Sequence, residues 1–382
     1  MHEETKLTGR KGTILYIGGF ELPDKNAAAH RVLSNAKLFH LLGYDTVFVG
    51  TDKSGEKFNR VFDSKGAVSG FVSYAVAYPD SLKKWVGYVT KVDKYLAVAK
   101  TIPDLKAIVC YNFPAVALER IRRYCRKTGV KCIADVTEWY PAAGKNLVMK
   151  IIKGLDVFLR MRIIQKNLDG LIVISRYLQE YYGKCRNVVY LPPLTDLSDP
   201  KWENTQAKST DTLYLAYAGS PGTKDRIDLL IGALKSVQRK YHLDIVGIDK
   251  EAYLSMHGED AAFLEKNEDI IFHGRVSHLT ALDIVKRANY SCFFRVPDRV
   301  TTAGFPTKFA EAVSCGTPVI TNRSSNIADY LTSGNGCLVE ELTVEAISKL
   351  IECVDYCVDT DIGLFSYREY RAKVQKFLSD IF

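Results

Sequence analysis

Nowhere in the 382 residues do eighteen consecutive apolar residues occur free of charge, which excludes a transmembrane helix and restricts any membrane role to the periphery. No pair of the nine cysteines (110, 125, 132, 185, 292, 315, 337, 353 and 357) has C-x-x-C spacing. Their odd number, and their place in apolar runs such as Tyr290-Ser-Cys-Phe-Phe294, fit a reducing compartment and packed thiols rather than disulfides or zinc. Cys353 and Cys357 have no histidine nearby and read as one helix face. The polar start MHEETKLTGRKG and the Gly18-Gly19 break in the apolar run after it do not form a secretory leader, so a cytoplasmic protein is expected. P-loop, G-x-S-x-G and H-E-x-x-H patterns are missing, as are nucleic-acid modules. With 47% hydrophobic and 25% charged residues, disorder and fibrous classes are excluded as well.

What is present is first an uneven charge. Of the net +8, residues 1–196 carry +13 and residues 197–382 carry −5. A basic half meets nucleic acid, an anionic membrane or a polyanionic substrate. Two stretches in it narrow the choice. In Ser81 to Lys100, Trp85, Tyr88, Val92, Tyr95 and Ala99 recur at helical spacing among five lysines. In Lys145 to Lys166, Val148, Ile151, Ile152, Leu155, Phe158 and Leu159 form a stripe, with six basic residues against Asp156 alone. Both read as basic amphipathic helices suited to an anionic membrane surface at the inner face of the membrane, or as ordinary helices packed on a sheet. The cluster Arg120, Arg122, Arg123, Arg126 and Lys127 reads as a solvated helix face.

Short β-rich runs alternate with helical patterns: TILYIGG, a helix from about Asn26 to Gly43, DTVFVG, KAIVCY, VKCIADV and LDGLIVIS. The rhythm pauses at Leu191-Pro-Pro-Leu-Thr-Asp196 and restarts with LYLAYAGS, HLDIVGI, DIIFHGRV, YSCFFRV, TPVITN and CLVEE. Such βαβ alternation predicts parallel sheets covered by helices, with ligands at the carboxyl ends of the strands. The expected α/β architecture is two Rossmann-like domains, 1–196 and 197–365, facing each other across a cleft. A terminal helix, 366–382, carries Tyr370, Val374, Phe377, Leu378 and Ile381 at helical spacing and returns to the first domain.

The chemistry concentrates in Gly304-Phe-Pro-Thr-Lys-Phe-Ala-Glu-Ala-Val-Ser-Cys-Gly-Thr-Pro-Val-Ile320. A glycine-containing loop opens a helix whose first turn presents free N–H groups, with Thr307 and Lys308 there to meet a phosphate. Glu311, one turn on, suits the vicinal hydroxyls of a ribose. In the first half, Gly18-Gly19 lets backbone approach a diphosphate closely. Asp135-Val-Thr-Glu-Trp-Tyr-Pro141 brings two carboxylates and two aromatics to a strand end, a combination that suits a sugar. Either Asp135 or Glu138 can serve as general base toward an acceptor hydroxyl, and Asp135 can equally cap a helix. His30 ranks below Glu138 for that role. Asp359-Thr-Asp361 reads as a helix start rather than a metal site.

This string resembles the nucleotide-sugar site of the retaining family-4 glycosyltransferases of the GT-B fold, the bacterial surface-polysaccharide type, which carry a related loop followed by E-A-x-x-x-G-x-P-V-I. Tyr217-Ala-Gly-Ser-Pro-Gly-Thr-Lys-Asp225 is similar to the first strand-to-loop segment of the family's donor domain. The resemblance makes 1–196 acceptor-binding and 197–365 donor-binding, with Ser220 and Lys224 at the donor pyrophosphate. Phe272-His-Gly-Arg-Val276 resembles the strand holding the base, which implicates Arg275 and Val276. Gly170-Leu-Ile-Val-Ile-Ser175 and Leu191-Pro-Pro193 resemble the passage out of the first domain. Position 303, where the family usually has a second glutamate, is Ala. The P-T-K-x-x-E form makes Lys308 the first choice for the diphosphate, in a catalytic role, with Arg295 the second. The implied activity is transfer of a sugar from a nucleotide sugar to a lipid-linked glycan acceptor, without metal or other cofactor and without a protein nucleophile. A catalytically silent GT-B protein that stabilises a partner enzyme, and a nucleotide-sugar epimerase, are the alternatives that Ala303 raises.

Overall fold

The computed structural model describes residues 9–23, 26–52, 71–140, 147–222, 224–332 and 334–382. The N-terminal segment through Thr8, Pro141, Lys145 and Thr223, and the side chain of Val148, lie outside the described residues. The chain divides into two compact units, the first comprising residues through Leu194 together with Tyr367–Phe382, the second Thr195–Ser366.

The first unit is built on strands β1 (Gly12–Gly18), β2 (Tyr44–Asp52), β3 (Val72–Ala77), β4 (Leu105–Tyr111), β5 (Lys131–Val136), β6 (Gly170–Val173) and β7 (Val188–Tyr190). All pair in parallel, in the order β3-β2-β1-β4-β5-β6-β7. The period of two along a strand sends alternate residues to opposite faces. Ile14 and Tyr16 join the core that includes Val32, Ala36 and Phe39 of the helix Ala27–Leu41, while Leu15 and Ile17 join the core on the other face with Leu118 and Ile121 of the helix Ala115–Thr128. The terminal helix Arg371–Ile381 places Val374, Phe377, Leu378 and Ile381 in the first of these cores. Gly170 lies beneath it, where an added Cβ would stand 2.8 Å from the Phe377 ring.

The second unit repeats the plan with β8 (Leu213–Ala218), β9 (Tyr241–Val246), β10 (Ile270–Gly274), β11 (Tyr290–Cys292), β12 (Val319–Asn322) and β13 (Gly336–Val339), again all parallel, in the order β10-β9-β8-β11-β12-β13. In each sheet the chain starts at the middle, moves outward, and returns to the other side of its first strand. At the carboxyl ends of the two strands flanking that reversal, β1 and β4 in one sheet and β8 and β11 in the other, the connections leave in opposite directions, the position at which such folds bind ligands.

Two sequence readings change here. Ser81–Lys100 is not one helix but two, Leu82–Thr90 and Asp93–Lys100, separated by Lys91 in extended conformation. The second helix buries Tyr95, Val98 and Ala99 in the core, so it presents no apolar face to a membrane. The other stretch behaves differently. In the helix Leu147–Phe158, Leu147, Ile151, Ile152, Leu155 and Phe158 are all exposed, Ile151 by 61%, and Lys150 and Lys153 stand among them. The stretch from about Asp225 to Lys240, which also carries a helical pattern, forms a helix only over Ile227–Leu234, because Asp225 is engaged elsewhere.

Candidate active site

Asp225 follows the loop leaving β8. Its carboxylate is buried and accepts from three side chains: Lys308 Nζ at 2.5 Å, Arg295 Nε at 2.6 Å and the Tyr217 hydroxyl at 2.8 Å. An antiparallel bridge between Asp225 and Arg295, and the bond from Arg226 N–H to the Phe294 carbonyl, lace this loop to the chain leaving β11. Arg295 is held from the other side by Asn322, whose amide accepts from its N–H and donates to its carbonyl, both at 2.8 Å. Lys308 lies over the Tyr217 ring, 4.1 Å from its centroid. Gly219, at φ +147°, makes room for it, since a Cβ there would stand 2.7 Å from Lys308 Nζ.

The charge on this cluster does not balance. Two cations share one carboxylate, an excess of one positive charge within the cluster that Glu311 offsets in part, at the carboxyl ends of β8 and β11. Burial pulls the Asp225 carboxyl upward, but Lys308 and Arg295 outweigh it and hold the group below its usual range. Burial pushes the Lys308 ammonium down to about 8, against the pull of Asp225 and with help from the Arg295 charge. With a folded value below the unfolded one, Lys308 detracts from stability below pH 8, and that penalty is relieved as pH rises from about 8 towards 10.5. An arriving anion would remove the same penalty.

Lys308 sits in the first turn of the helix Thr307–Ser314, which begins after Pro306 with no side chain capping it. The first-turn N–H groups therefore point at the same locale as the excess charge. Glu311, one turn on, is half-buried, with its Oε1 3.7 Å from Nε2 of His278. His278 opens the helix His278–Arg287, whose N-cap is Ser277, directly after Arg275 and Val276. Arg275, Ser220 and Lys224 are exposed, Val276 and Thr307 half-buried. The Asp298 carboxyl is held low first by the Thr301 backbone and lastly by the charge of Lys224. Ala303 is fully buried and offers the site no polar group. Asp225, Tyr217 and His278 were not singled out from the sequence. The one acid at the end of a loop already carrying Lys224 was the available signal for Asp225.

The first unit holds a separate constellation at the ends of β1, β4 and β5. Gly18, at φ +154°, allows β1 to pass β4 closely, since a Cβ there would stand 2.6 Å from the Tyr111 carbonyl oxygen. Gly19 is exposed. Asn112, at φ +45°, donates to the Thr137 hydroxyl at 2.6 Å and accepts from its N–H at 3.1 Å. Of the two carboxylates expected as base, Asp135 is engaged by other side chains. It is wholly buried, gripped by Arg31 through Nε at 3.0 Å and Nη2 at 2.7 Å, and accepts from the Tyr16 hydroxyl. Burial and then the Asp135 charge push the Tyr16 hydroxyl up, so it stays a donor. Arg31 also donates to the Leu191 carbonyl at 3.0 Å, which ties the helix Ala27–Leu41 to the segment after β7. This is a closed structural network. Glu138 is half-buried and makes no hydrogen bond or ion pair among the described residues. The D-x-D segment is likewise structural, Asp361 accepting from Gly363 N–H at 3.0 Å.

Two Rossmann-like units with an anion-ready strand-loop-helix in the second define a GT-B architecture. Residues 198–354 match the family described as "Glycosyl transferases group 1", and the protein is a glycosyltransferase. Sucrose-phosphate synthase from Thermosynechococcus elongatus superposes with a TM-score of 0.72 at 15% identity, over 97% of this chain and 99% of that one. Anabaena HepE in complex with UDP and glucose gives 0.64 at 11%, over 96% and 99%, and a glycosyltransferase from Rickettsia africae 0.60 at 12%, over 97% and 96%. These likenesses establish the fold. No curated protein matches the chain by sequence.

Replacing Asp135 by Ala leaves the buried Arg31 charge without its partner. The expected loss is about 3–5 kcal/mol, read as a lowered denaturation midpoint of the first unit.

Proposed function

We propose that the protein is a retaining, family-4-type glycosyltransferase that uses a nucleoside-diphosphate sugar and acts on a lipid-linked glycan acceptor in surface-polysaccharide synthesis. The observation carrying this reading is the unbalanced Arg295–Asp225–Lys308 cluster beside the uncapped helix of Lys308 and Glu311. In this reading the donor diphosphate takes up the excess charge, Thr307 and the first-turn N–H groups bind its oxygens, and Glu311 accepts from the ribose hydroxyls. Ser220 and Lys224, on the loop after β8, and Arg275 and Val276, after β10, line the donor around them.

Charge develops on the leaving diphosphate as its bond to the sugar breaks. Lys308, Arg295 and the helix terminus are already oriented towards that charge, which lowers the barrier without reorganisation. The same cations need no metal to supplement them. The departing diphosphate and the incoming hydroxyl share one face of the sugar, which retains its configuration without a protein nucleophile. Of the two carboxylates expected as base, Glu138 is the one proposed to take the hydroxyl's proton.

The helix Leu147–Phe158 supports the membrane part of the reading. No helix among the described residues is long and apolar enough to cross a membrane, but this one exposes five large apolar side chains with Lys150 and Lys153 among them. Apolar insertion plus about 1 kcal/mol per basic residue near an anionic surface suits peripheral attachment. Vesicle sedimentation tests it: anionic vesicles retain the wild type, Ile151→Glu with Leu155→Glu releases it, and equal partitioning with neutral vesicles rejects the attachment.

Calorimetry with UDP, GDP and dTDP tests the donor site. One of them binds the wild type, and Glu311→Ala weakens it by about tenfold or more; no binding by any of the three rejects the reading. Because Lys308 must be protonated to hold the diphosphate, affinity is flat below about pH 8 and falls by about tenfold per unit above it. Lys308→Arg, which stays charged, abolishes that fall.

A further inference from the structure

The rod that begins as the helix Leu147–Phe158 continues as a π-helical turn, Leu159–Ile164. A π turn admits an extra residue and rotates the chain beyond it, and such turns concentrate at functional sites. Within the turn Arg160, Met161 and Ile164 are buried while Ile163 is 45% exposed, so the rod keeps one face inward and continues outward the face of Ile151, Leu155 and Phe158.

Arg160 is the anomaly. Its side chain is 7% exposed, yet its five N–H donors make one hydrogen bond among the described residues, to the Asn112 carbonyl oxygen at 3.5 Å. Its nearest carboxylate oxygen, of Asp156, is 3.6 Å away, and the other oxygen of that group accepts from the Ala115 N–H at 2.7 Å. The guanidinium lies over the Tyr140 ring, 4.6 Å from its centroid. Arg31, equally buried in the same unit, spends its donors on Asp135 and two carbonyls. A buried guanidinium so thinly compensated is costly unless something else completes it.

Its surroundings show what that something can be. Asn112 follows β4 and Tyr140 follows β5, so Arg160 stands at the carboxyl end of the sheet. Burial pushes the Tyr140 hydroxyl up, the Glu138 carboxylate adds to this, and Arg160 opposes it, so the phenol feels both the cation stacked on it and the candidate base two residues before it. Arg160 also belongs to the same rod as the exposed apolar stripe.

We propose that Arg160, buried within the π-helical turn and stacked on Tyr140, is an anion subsite that binds a phosphate group of the acceptor substrate. This rests on the glycosyltransferase reading and adds to it the chemical class of the acceptor: a phosphate or diphosphate ester, contributed by a lipid diphosphate or by a soluble sugar phosphate.

The test is calorimetry on the full chain saturated with UDP, so that the donor site is filled, with inorganic pyrophosphate, geranyl diphosphate and glucose 6-phosphate as probes. At least one probe binds the wild type, and Arg160→Met weakens it by about tenfold or more while UDP affinity stays unchanged. Arg160→Lys restores part of the loss. Absence of binding by all three probes, or equal affinity in wild type and Arg160→Met, overturns the subsite. If Arg160→Met fails to fold, Arg160→Lys takes its place, with affinity expected below that of the wild type and equal affinity overturning the subsite. Tighter binding of geranyl diphosphate assigns the phosphate to a lipid, and tighter binding of glucose 6-phosphate overturns that source in favour of a sugar phosphate. If UDP itself fails to bind, the donor reading fails, and pyrophosphate binding that depends on Arg160 in a Lys308→Ala background still reports on the subsite alone.

Discussion

A buried carboxylate must be met by donors or cations, and at Asp225 that requirement organises the second unit's chemistry. To satisfy it, Lys308 arrives from a helix terminus, Arg295 from the end of β11 and Tyr217 from within β8. Three segments distant in sequence are thereby fixed relative to one another at the carboxyl end of the parallel sheet. Gly219 answers to the same constraint, because no side chain fits between the loop and the Lys308 ammonium. The excess of cations over carboxylate then gives the locale its affinity for an anion. Desolvation makes Lys308 easier to deprotonate, so this affinity is stored at some expense to the empty protein.

The first unit uses a buried ion pair to the opposite end. Arg31 and Asp135 match in charge and geometry, and Tyr16 completes the carboxylate. The two charges are spent on each other, and the network joins a sheet, a helix and the segment leaving β7. Arg160 resembles the second unit's cluster more than it resembles Arg31. Its charge is sequestered beneath an aromatic ring with little to balance it. Whether a buried ionic group is structural or available to a ligand is thus decided by the count of charges and donors around it, not by burial alone.

Much of this was legible in the residues. Eleven of the strands correspond to apolar runs bounded by glycine, proline or polar residues, because a strand buried on both faces needs such a run. The two that escaped, β3 and β7, lie at the edges of their sheet. Val72 is 40% exposed and β7 spans three residues, so neither makes the continuous apolar signal of a central strand. Lys308, Thr307 and Glu311 were legible because a helix start and its first turn are local in sequence. The paired stretches 81–100 and 145–166 carry the same pattern, yet one packs into the core and the other stays exposed. Periodicity reports that a face is apolar and is silent on what covers it.

The sequence by itself determined the parallel α/β plan, the restart after Asp196, and the strand-loop-helix that opens at Gly304, since each depends on backbone preferences and hydrophobic period over short spans. Only the tertiary structure decided which carboxylates are spent and which are free. Asp135 and Glu138 stand three positions apart in one segment, but Asp135 meets an arginine from 104 residues earlier, and Glu138 meets no such partner among the described residues. Asp225 likewise became a hub through residues 70 and 83 positions away. Electrostatic roles depend on distances of a few ångströms between remote parts of the chain, and those distances exist only once it has folded.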